Sequence, residues 1–199
     1  NAGTLQIGAG GTTGALSASS AITNNGTLTF NLTNTVTQGT QFASVIAGTG
    51  NLTQAGTGTL TLSGNNTYTG TTTLNAGTIQ IGHANGLGTS GNITFGGGTL
   101  QYGSGNTTDI SSRIKNSGSA ILVDTNNNNV TFDSALDSTN VGGLTKNGTG
   151  NLTLSGANTY TGTTTINAGT LALGANQNLG AIAGAGALSL SSYTLTTNS

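Results

Sequence analysis

Glycine, threonine and asparagine make up about half of the 199 residues, and the chain contains no proline, cysteine or tryptophan. Its formal net charge is −1, and only 4% of its residues are charged. This composition excludes a helical protein, because glycine, threonine and asparagine are poor helix formers. It excludes collagen, which needs glycine at every third position together with proline, and it argues against nucleic-acid binding, which needs a basic surface.

Short runs of alternating apolar and polar residues, separated by glycine and asparagine, predict β-strands along the whole chain. Residues at i and i+2 share one face of a strand, so we expect leucine, isoleucine and valine to point inward and threonine to point outward. The predicted strands are Leu5–Ile7, Leu28–Leu32, Phe42–Ile46, Leu60–Leu62, Thr72–Leu74, Ile79–Ile81, Ile93–Phe95, Leu100–Tyr102, Ile121–Val123, Val130–Phe132, Leu152–Leu154, Thr164–Ile166, Leu171–Leu173 and Leu188–Leu190.

The spacing of these strands predicts the fold. Leu60, Ile79, Leu100 and Ile121 are separated by 19, 21 and 21 residues. Such a recurrence is typical of one turn of a parallel β-solenoid. An antiparallel sandwich also has frequent short strands, but the absence of proline favours the solenoid, in which nearly every interior N–H group donates to the next coil. We therefore predict an all-β parallel β-helix, or β-solenoid, of roughly ten coils of about 20 residues each.

The chain contains an internal repeat. Residues 50–82 align without a gap with residues 142–174, and 24 of the 33 positions are identical. A partial copy, NAGTLQIG, covers residues 1–8. We expect residues 1–199 to form a single solenoid, and to be a fragment or mature piece of a longer chain, because residue 1 already lies inside a repeat unit.

All seven formal charges fall between residues 109 and 146, a segment that resembles neither full repeat. Because charged residues usually lie on solvated surface, the simpler interpretation is a set of irregular coils whose charges are solvated. The alternative is a projecting face that makes a specific contact. The candidates for that contact are Asp109, Arg113, Lys115, Asp124, Asp133 and Asp137, and the seventh charge is Lys146.

The sequence contains few residues of the types that catalyse reactions or bind metal ions. The chain has no cysteine and no glutamate, and its one histidine, His83, aligns with Ala175 in the second repeat. A zinc site needs several such ligands, so we predict no catalytic residue, no metal and no cofactor. Asp133 and Asp137 could imitate the paired carboxylates that hydrolyse sugars, and a polysaccharide-acting β-helix enzyme is therefore the less favoured alternative.

Threonine arrays allow another interpretation. Thr57, Thr59 and Thr61 place hydroxyl groups on one strand face, and threonine ladders on a β-solenoid are how several ice-binding proteins are built. Leu100–Tyr102 and Ile121–Val123 carry no Thr-x-Thr pair. Ice binding is accordingly kept as an alternative to a structural function.

Two segments closely resemble the autotransporter-associated β-strand repeat of bacterial type V secreted proteins. They read LTQAGTGTLTLSGNNTYTGTTTLNAGTIQIG at Leu52–Gly82 and LTKNGTGNLTLSGANTYTGTTTINAGTLALG at Leu144–Gly174. The resemblance implies a right-handed parallel β-helix that is secreted and lies outside the cell or on the bacterial surface. Proteins of this kind act mostly as adhesins or stalks, and the repeat itself carries no catalytic residue.

We therefore expect a structural and adhesive surface protein. Its expected partners are further copies of itself, associated end to end or laterally, or the surface of a host or neighbouring cell. A membrane barrel in the parent chain is a further expected partner, and nucleic acid is not.

Overall fold

The computed structural model describes residues 3–19, 21–42 and 45–197. The fold is a β-solenoid of parallel strands with about nine turns, which confirms the predicted fold class. Its residues form two compact units, one up to Asn106 and one from Thr107 onward. Part of the predicted strand Phe42–Ile46 and the first two residues of the partial repeat 1–8 lie outside the described residues.

The first unit is built from short strands, because apolar and polar residues alternate between its glycine-containing turns. Its strands are β1 (Thr4–Gly11), β2 (Ile22–Thr23), β3 (Thr27–Leu32), β4 (Val36–Thr37), β5 (Ile46–Ala47), β6 (Asn51–Gln54), β7 (Thr59–Leu62), β8 (Thr72–Leu74), β9 (Thr78–Ile81), β10 (Ile93–Phe95) and β11 (Thr99–Tyr102).

These strands stack in parallel from coil to coil. One sheet has the order β1-β3-β6-β8-β10, a second contains β4-β7-β9-β11, and β2 pairs with β5. Leu28 lies beside Leu52 and Leu60 beside Ile79, so that paired residues are 24 and 19 positions apart. The predicted recurrence of about 20 residues therefore corresponds to one coil.

The second unit has the same construction. It contains a 3-10 turn at Ser111–Arg113 and the strands β12 (Ile121–Asp124), β13 (Val130–Phe132), β14 (Leu144–Asn147), β15 (Asn151–Leu154), β16 (Thr164–Ile166), β17 (Thr170–Leu173), β18 (Gln177–Leu179), β19 (Ile182–Ala183), β20 (Ala187–Ser189) and β21 (Leu195–Thr197). Its stacks are β12-β14-β16-β19, β13-β15-β17-β20 and the pair β18-β21, all parallel.

The core of each unit is a set of apolar columns, one residue from each coil. In the first unit Val36, Leu60, Ile79 and Leu100 form one such column. In the second unit the corresponding columns include Val130, Leu152, Leu171 and Leu188. All of these side chains are buried except Leu188, which is half-buried. Burying one aliphatic side chain contributes about 1.5–3 kcal/mol, so the columns supply the main driving force for stacking.

Close packing at one corner of the first unit requires glycine. A Cβ on Gly50 would lie 2.3 Å from the Gly26 carbonyl oxygen, and one on Gly70 would lie 2.2 Å from the Gly50 oxygen. Successive coils therefore approach through bare backbone at this corner, and a side chain there would force the coils apart.

Within the described ranges, no helix is long and apolar enough to cross a membrane.

Candidate functional site

Polar residues enter the apolar columns at the same positions in both repeats. In the first repeat, Gln54 lies between Phe30 and Leu74 of the neighbouring coils. The Gln54 side chain is 2% exposed, and its Nε2 group donates to the carbonyl oxygens of Gly56 at 2.9 Å and Gly58 at 3.1 Å. The buried amide thus closes the turn that follows its own strand.

Lys146 takes the place of Gln54 in the second repeat. It is fully buried between Val123 and Ile166 in the column. Its ammonium group donates to the carbonyl oxygens of Asn147 at 2.8 Å, Gly148 at 2.7 Å and Ala168 at 3.1 Å. The three donors of the ammonium are therefore satisfied, and because Ala168 belongs to the next coil, the side chain links two coils.

Burial lowers the pKa of Lys146 to about 8, while the nearby Asp124 carboxylate acts in the opposite direction. At neutral pH the group is still an ammonium. The expectation that the charges of 109–146 are solvated is wrong for this residue. Lys146 lies on the same strand face as the apolar Leu144, but a lysine at such a position interrupts the apolar pattern, so alternation did not identify it as a buried residue.

A second inward polar pair occurs in each repeat. The Tyr68 hydroxyl lies 2.7 Å from the Thr72 hydroxyl, and Tyr160 lies 2.7 Å from Thr164. All four side chains are buried, and burial raises the pKa of Tyr160 to about 12. The expectation that threonine faces outward is therefore wrong for Thr72 and Thr164, whose hydroxyl groups have a buried tyrosine as partner.

The asparagine of the motif NTYTG joins successive coils. Asn66 Oδ1 accepts from the Ile46 N–H at 2.8 Å, and its Nδ2 donates to the Gly86 carbonyl oxygen at 2.7 Å. In the second repeat, Asn158 Oδ1 accepts from the Leu136 N–H at 2.7 Å. Both asparagines are buried, at 0% and 3% exposure. Asparagine in such a repeat is expected at corners and in side-chain ladders between coils, but the bonds of Asn66 and Asn158 to Ile46, Gly86 and Leu136 run to backbone groups, which the residue types alone do not indicate.

Five of the six candidate contact residues lie in two segments of the second unit that are stacked on each other. Asp109 accepts from the Asp133 N–H at 3.2 Å, and both side chains are exposed. Lys115 forms a 2.5 Å ion pair with Asp137. This contact, together with the Thr139 hydroxyl, holds the pKa of Asp137 below its usual value. Arg113, like Lys115, is half-buried.

The sixth candidate, Asp124, is half-buried at the end of β12, beside the Lys146 turn. The structure thus brings Asp109, Asp133, Lys115 and Asp137 onto neighbouring segments and places Asp124 with the repeat. Whether these residues make a specific contact remains a prediction.

None of the six candidate contact residues lines any of three surface pockets that the described residues form. These pockets are shallow sites of about 300–370 Å³ at Gly3–Leu5 with Ile22–Leu28, at Thr27 with Thr49–Asn51, and at Asn158–Thr161 with Asn178 and Gly180. Among the described residues no group of three or more histidine, cysteine or acidic side chains could hold a metal ion. His83 accepts the Asn85 N–H through its Nδ1 at 3.1 Å, which is a local turn contact.

The outward face of the first unit is a regular array of hydroxyl and amide groups. Thr53, Thr73 and Thr94, which are half-buried, form one column in register across three coils, and the buried Thr29 continues it in a fourth. On the other sheet, the Gln80 amide donates to Gln101 Oε1 at 2.7 Å. The outer surface of this unit therefore offers uncharged hydrogen-bonding groups at the spacing of the coils, about 4.8 Å.

Comparison with known families gives one match. The family model of the passenger-associated-transport-repeat matches residues 52–81 and 144–173, which lie within the two segments that contain the buried Gln54 or Lys146, the tyrosine–threonine pair and the coil-linking asparagine. No curated protein and no solved structure matches the chain. Residues 52–81 and 144–173 are therefore two autotransporter passenger repeats, carried by a β-solenoid chain.

Proposed function

We propose that this chain is part of the extracellular passenger of a bacterial autotransporter, and that it acts there as a structural and adhesive β-solenoid. The observation that carries the proposal is the presence of two passenger repeats whose buried polar groups connect one coil to the next. Asn66 and Asn158 accept backbone N–H groups from the preceding coil, and Lys146 binds a carbonyl of the following coil.

Such connections suit a chain that folds as it is exported. In a solenoid each coil contacts mainly its neighbours, so a folded coil offers a complete template to the coil that arrives next. The repeat supplies that template with fixed hydrogen-bond partners in addition to apolar contacts. Export would then be supported by the stepwise gain of stacking energy outside the cell.

The outward surface supports a role in contact and adhesion. The first 106 residues contain no formally charged side chain, and hydroxyl and amide groups line their outer sheets. We propose that these faces contact another copy of the chain or the surface of a host or neighbouring cell. The charged segments around Asp109 and Asp133 are the proposed site of any charge-dependent contact, and a membrane barrel of the parent chain is the proposed anchor.

Surface display tests the proposal. The chain is produced in bacteria in front of an autotransporter barrel, and its exposure to added protease and to antibodies is measured on intact cells. We expect the wild type to be displayed and folded, and Leu62→Pro to be poorly displayed because proline removes a ladder N–H group in a buried strand. Thr13→Pro, in an exposed segment outside the strands, is the matched control. Normal display of folded Leu62→Pro would overturn the proposal.

Ice binding is a second candidate, and one observation favours it. Thr53, Thr73 and Thr94 form an in-register column over three coils that the buried Thr29 extends to a fourth, and this column supplies one of the two threonine rows that a Thr-x-Thr ice-binding face uses. Thermal hysteresis and faceted ice crystals at micromolar protein would support this function. Freezing identical to that of a buffer control would exclude it.

A further inference from the structure

The chain contains three Asn-Gly pairs, at Asn25–Gly26, Asn85–Gly86 and Asn147–Gly148. In such a pair the glycine backbone nitrogen can attack the asparagine side-chain carbon Cγ, since glycine has no Cβ to obstruct the approach. We propose that Asn147 is a site of self-modification, at which the chain converts the asparagine to aspartate or isoaspartate through a succinimide. Asn147 and Gly148 are both half-buried, so that water reaches them.

The hydrogen-bond donors around the Asn147 backbone carbonyl oxygen stabilise the deprotonated Gly148 nitrogen, which is the nucleophile of the reaction. Attack requires the Gly148 nitrogen to lose its proton, which places negative charge on the amide it shares with the Asn147 carbonyl. That oxygen accepts three hydrogen bonds: from the Lys146 ammonium at 2.8 Å, from the Thr125 N–H at 3.1 Å and from the Thr125 hydroxyl at 3.3 Å. Donors arranged in advance around a developing negative charge stabilise it strongly.

The electrophile is polarised as well. Asn167 Nδ2 donates to Asn147 Oδ1 at 2.9 Å, which stabilises the charge that this oxygen gains when its carbon is attacked. On the other side, Asp124 Oδ1 would lie 2.3 Å from a Cβ on Gly148. A carboxylate therefore lies against the glycine, with its Oδ1 accepting the Asn126 N–H at 2.7 Å, and an alanine would not fit at this position.

The other two Asn-Gly pairs lack this arrangement. The Gly26 N–H donates to Asn24 Oδ1 at 3.1 Å, and the Gly86 N–H donates to the His83 carbonyl oxygen at 2.9 Å. Within the described part of the chain, the Gly148 N–H makes no such bond. The first repeat has Ala55 where the second has Asn147, so the reaction belongs to the second repeat alone.

The reaction balances without any added reagent except water. The Gly148 nitrogen forms a bond to Asn147 Cγ, its proton passes through solvent to the departing side-chain nitrogen, and the bond between Cγ and that nitrogen breaks to release ammonia. One water molecule then opens the succinimide at either carbonyl carbon. The aspartate product places a carboxylate beside the Asn167 side-chain amide, and the isoaspartate product lengthens the backbone in the turn that closes the coil.

Peptide mass mapping of aged, folded protein tests the proposal. The three pairs are compared in one sample, for the mass increase that accompanies conversion of an amide to a carboxylate and for isoaspartate. We expect modification at Asn147 to be severalfold faster than at Asn25 or Asn85. Equal rates at the three sites, or no modification at Asn147, would overturn the proposal.

Lys146→Gln places the first-repeat residue in the second repeat and tests the role of the ammonium. The modification at Asn147 should slow severalfold, while Asn25 and Asn85 are unchanged. The pH dependence of the Asn147 modification rate separates this role from a merely structural one, because a structural role of Lys146 would not change that dependence. Because the pKa of Lys146 is about 8, the wild-type rate should rise less steeply above that pH, whereas the rate in Lys146→Gln should rise without a break. Identical profiles in the two proteins would show that Lys146 takes no part.

Discussion

Gln54 and Lys146 occupy the same position of the two repeats, and each closes the turn after its strand from inside the core. Both bind the carbonyl oxygen of the glycine two residues ahead, Gly56 and Gly148 respectively. They differ in reach, since Gln54 donates within its own turn and Lys146 also binds Ala168 of the next coil. They differ in charge as well, so that only the second repeat contains a buried ammonium.

The buried ammonium predicts that stability depends on pH. The pKa of Lys146 is lowered from 10.5 to about 8 on folding, so between these values the unfolded chain binds the proton and the folded chain does not. Stability should therefore rise with pH over this range, by an amount of the order of 2 kcal/mol from pH 8 to pH 10. Urea unfolding at several pH values measures the effect.

Lys146→Gln should abolish this rise, and Lys115→Gln, which removes a half-exposed lysine, should retain it. The pH series should end near pH 10. Folding raises the pKa of Tyr160 from 10.0 to about 12, so above pH 10 the folded chain keeps a proton that the unfolded chain loses, and stability falls again. A wild-type stability that is flat between pH 8 and pH 10 would contradict the assigned environment of Lys146.

Tyr160→Phe should destabilise the second unit. The substitution leaves the buried Thr164 hydroxyl without its 2.7 Å partner, and an unsatisfied buried hydroxyl costs about 1–3 kcal/mol. Tyr193→Phe is the matched control, because Tyr193 is 39% exposed and should change stability little. Chemical denaturation checks both variants, and equal effects would argue against a buried tyrosine–threonine pair.

Gly50→Ala should be strongly destabilising, because the new Cβ would meet the Gly26 carbonyl oxygen at 2.3 Å and two further atoms of Asn24 at 2.5 and 2.6 Å. Gly118→Ala should be close to neutral, since nothing lies within 4 Å of that Cβ. The comparison separates the requirement for close coil contact from a general effect of alanine on the unfolded chain. Thermal unfolding monitored by circular dichroism measures the stability of both variants.

Much of the fold follows from the sequence, because a solenoid repeats the same local rule. Alternation predicted Leu60–Leu62 and Ile79–Ile81 within strands that the structure shows as Thr59–Leu62 and Thr78–Ile81. The same rule missed β6 and β14, since Gln54 and Lys146 interrupt their apolar pattern. From the sequence alone, a polar residue at an inward position of a strand is interpreted either as an outward-facing residue or as the end of the strand, because its buried hydrogen-bond partners are not known.

The buried polar contacts are less accessible to sequence reasoning. The partner of Asn66 is a backbone N–H 20 residues away, at Ile46, and neither residue type indicates this pairing. The tyrosine–threonine pair is local but depends on the turn between Tyr68 and Thr72, whose geometry the strand pattern does not define. The recurrence of both contacts at Asn158 and Tyr160 explains why the repeat is copied so closely.

The fold depends on parallel, in-register stacking of the coils, and because the chain contains no cysteine, introduced cysteine pairs can test this stacking directly. Thr53 and Thr73 are paired in adjacent coils, while Thr53 and Thr94 are two coils apart. Adjacent strands are about 4.8 Å apart and alternate strands about 9.6 Å, and a disulfide does not bridge Cα atoms more than about 7 Å apart. The measurement is disulfide formation in the two double-cysteine variants under mild oxidation. In-register stacking predicts a bridge in Thr53→Cys/Thr73→Cys and none in Thr53→Cys/Thr94→Cys, and the opposite pattern would contradict it.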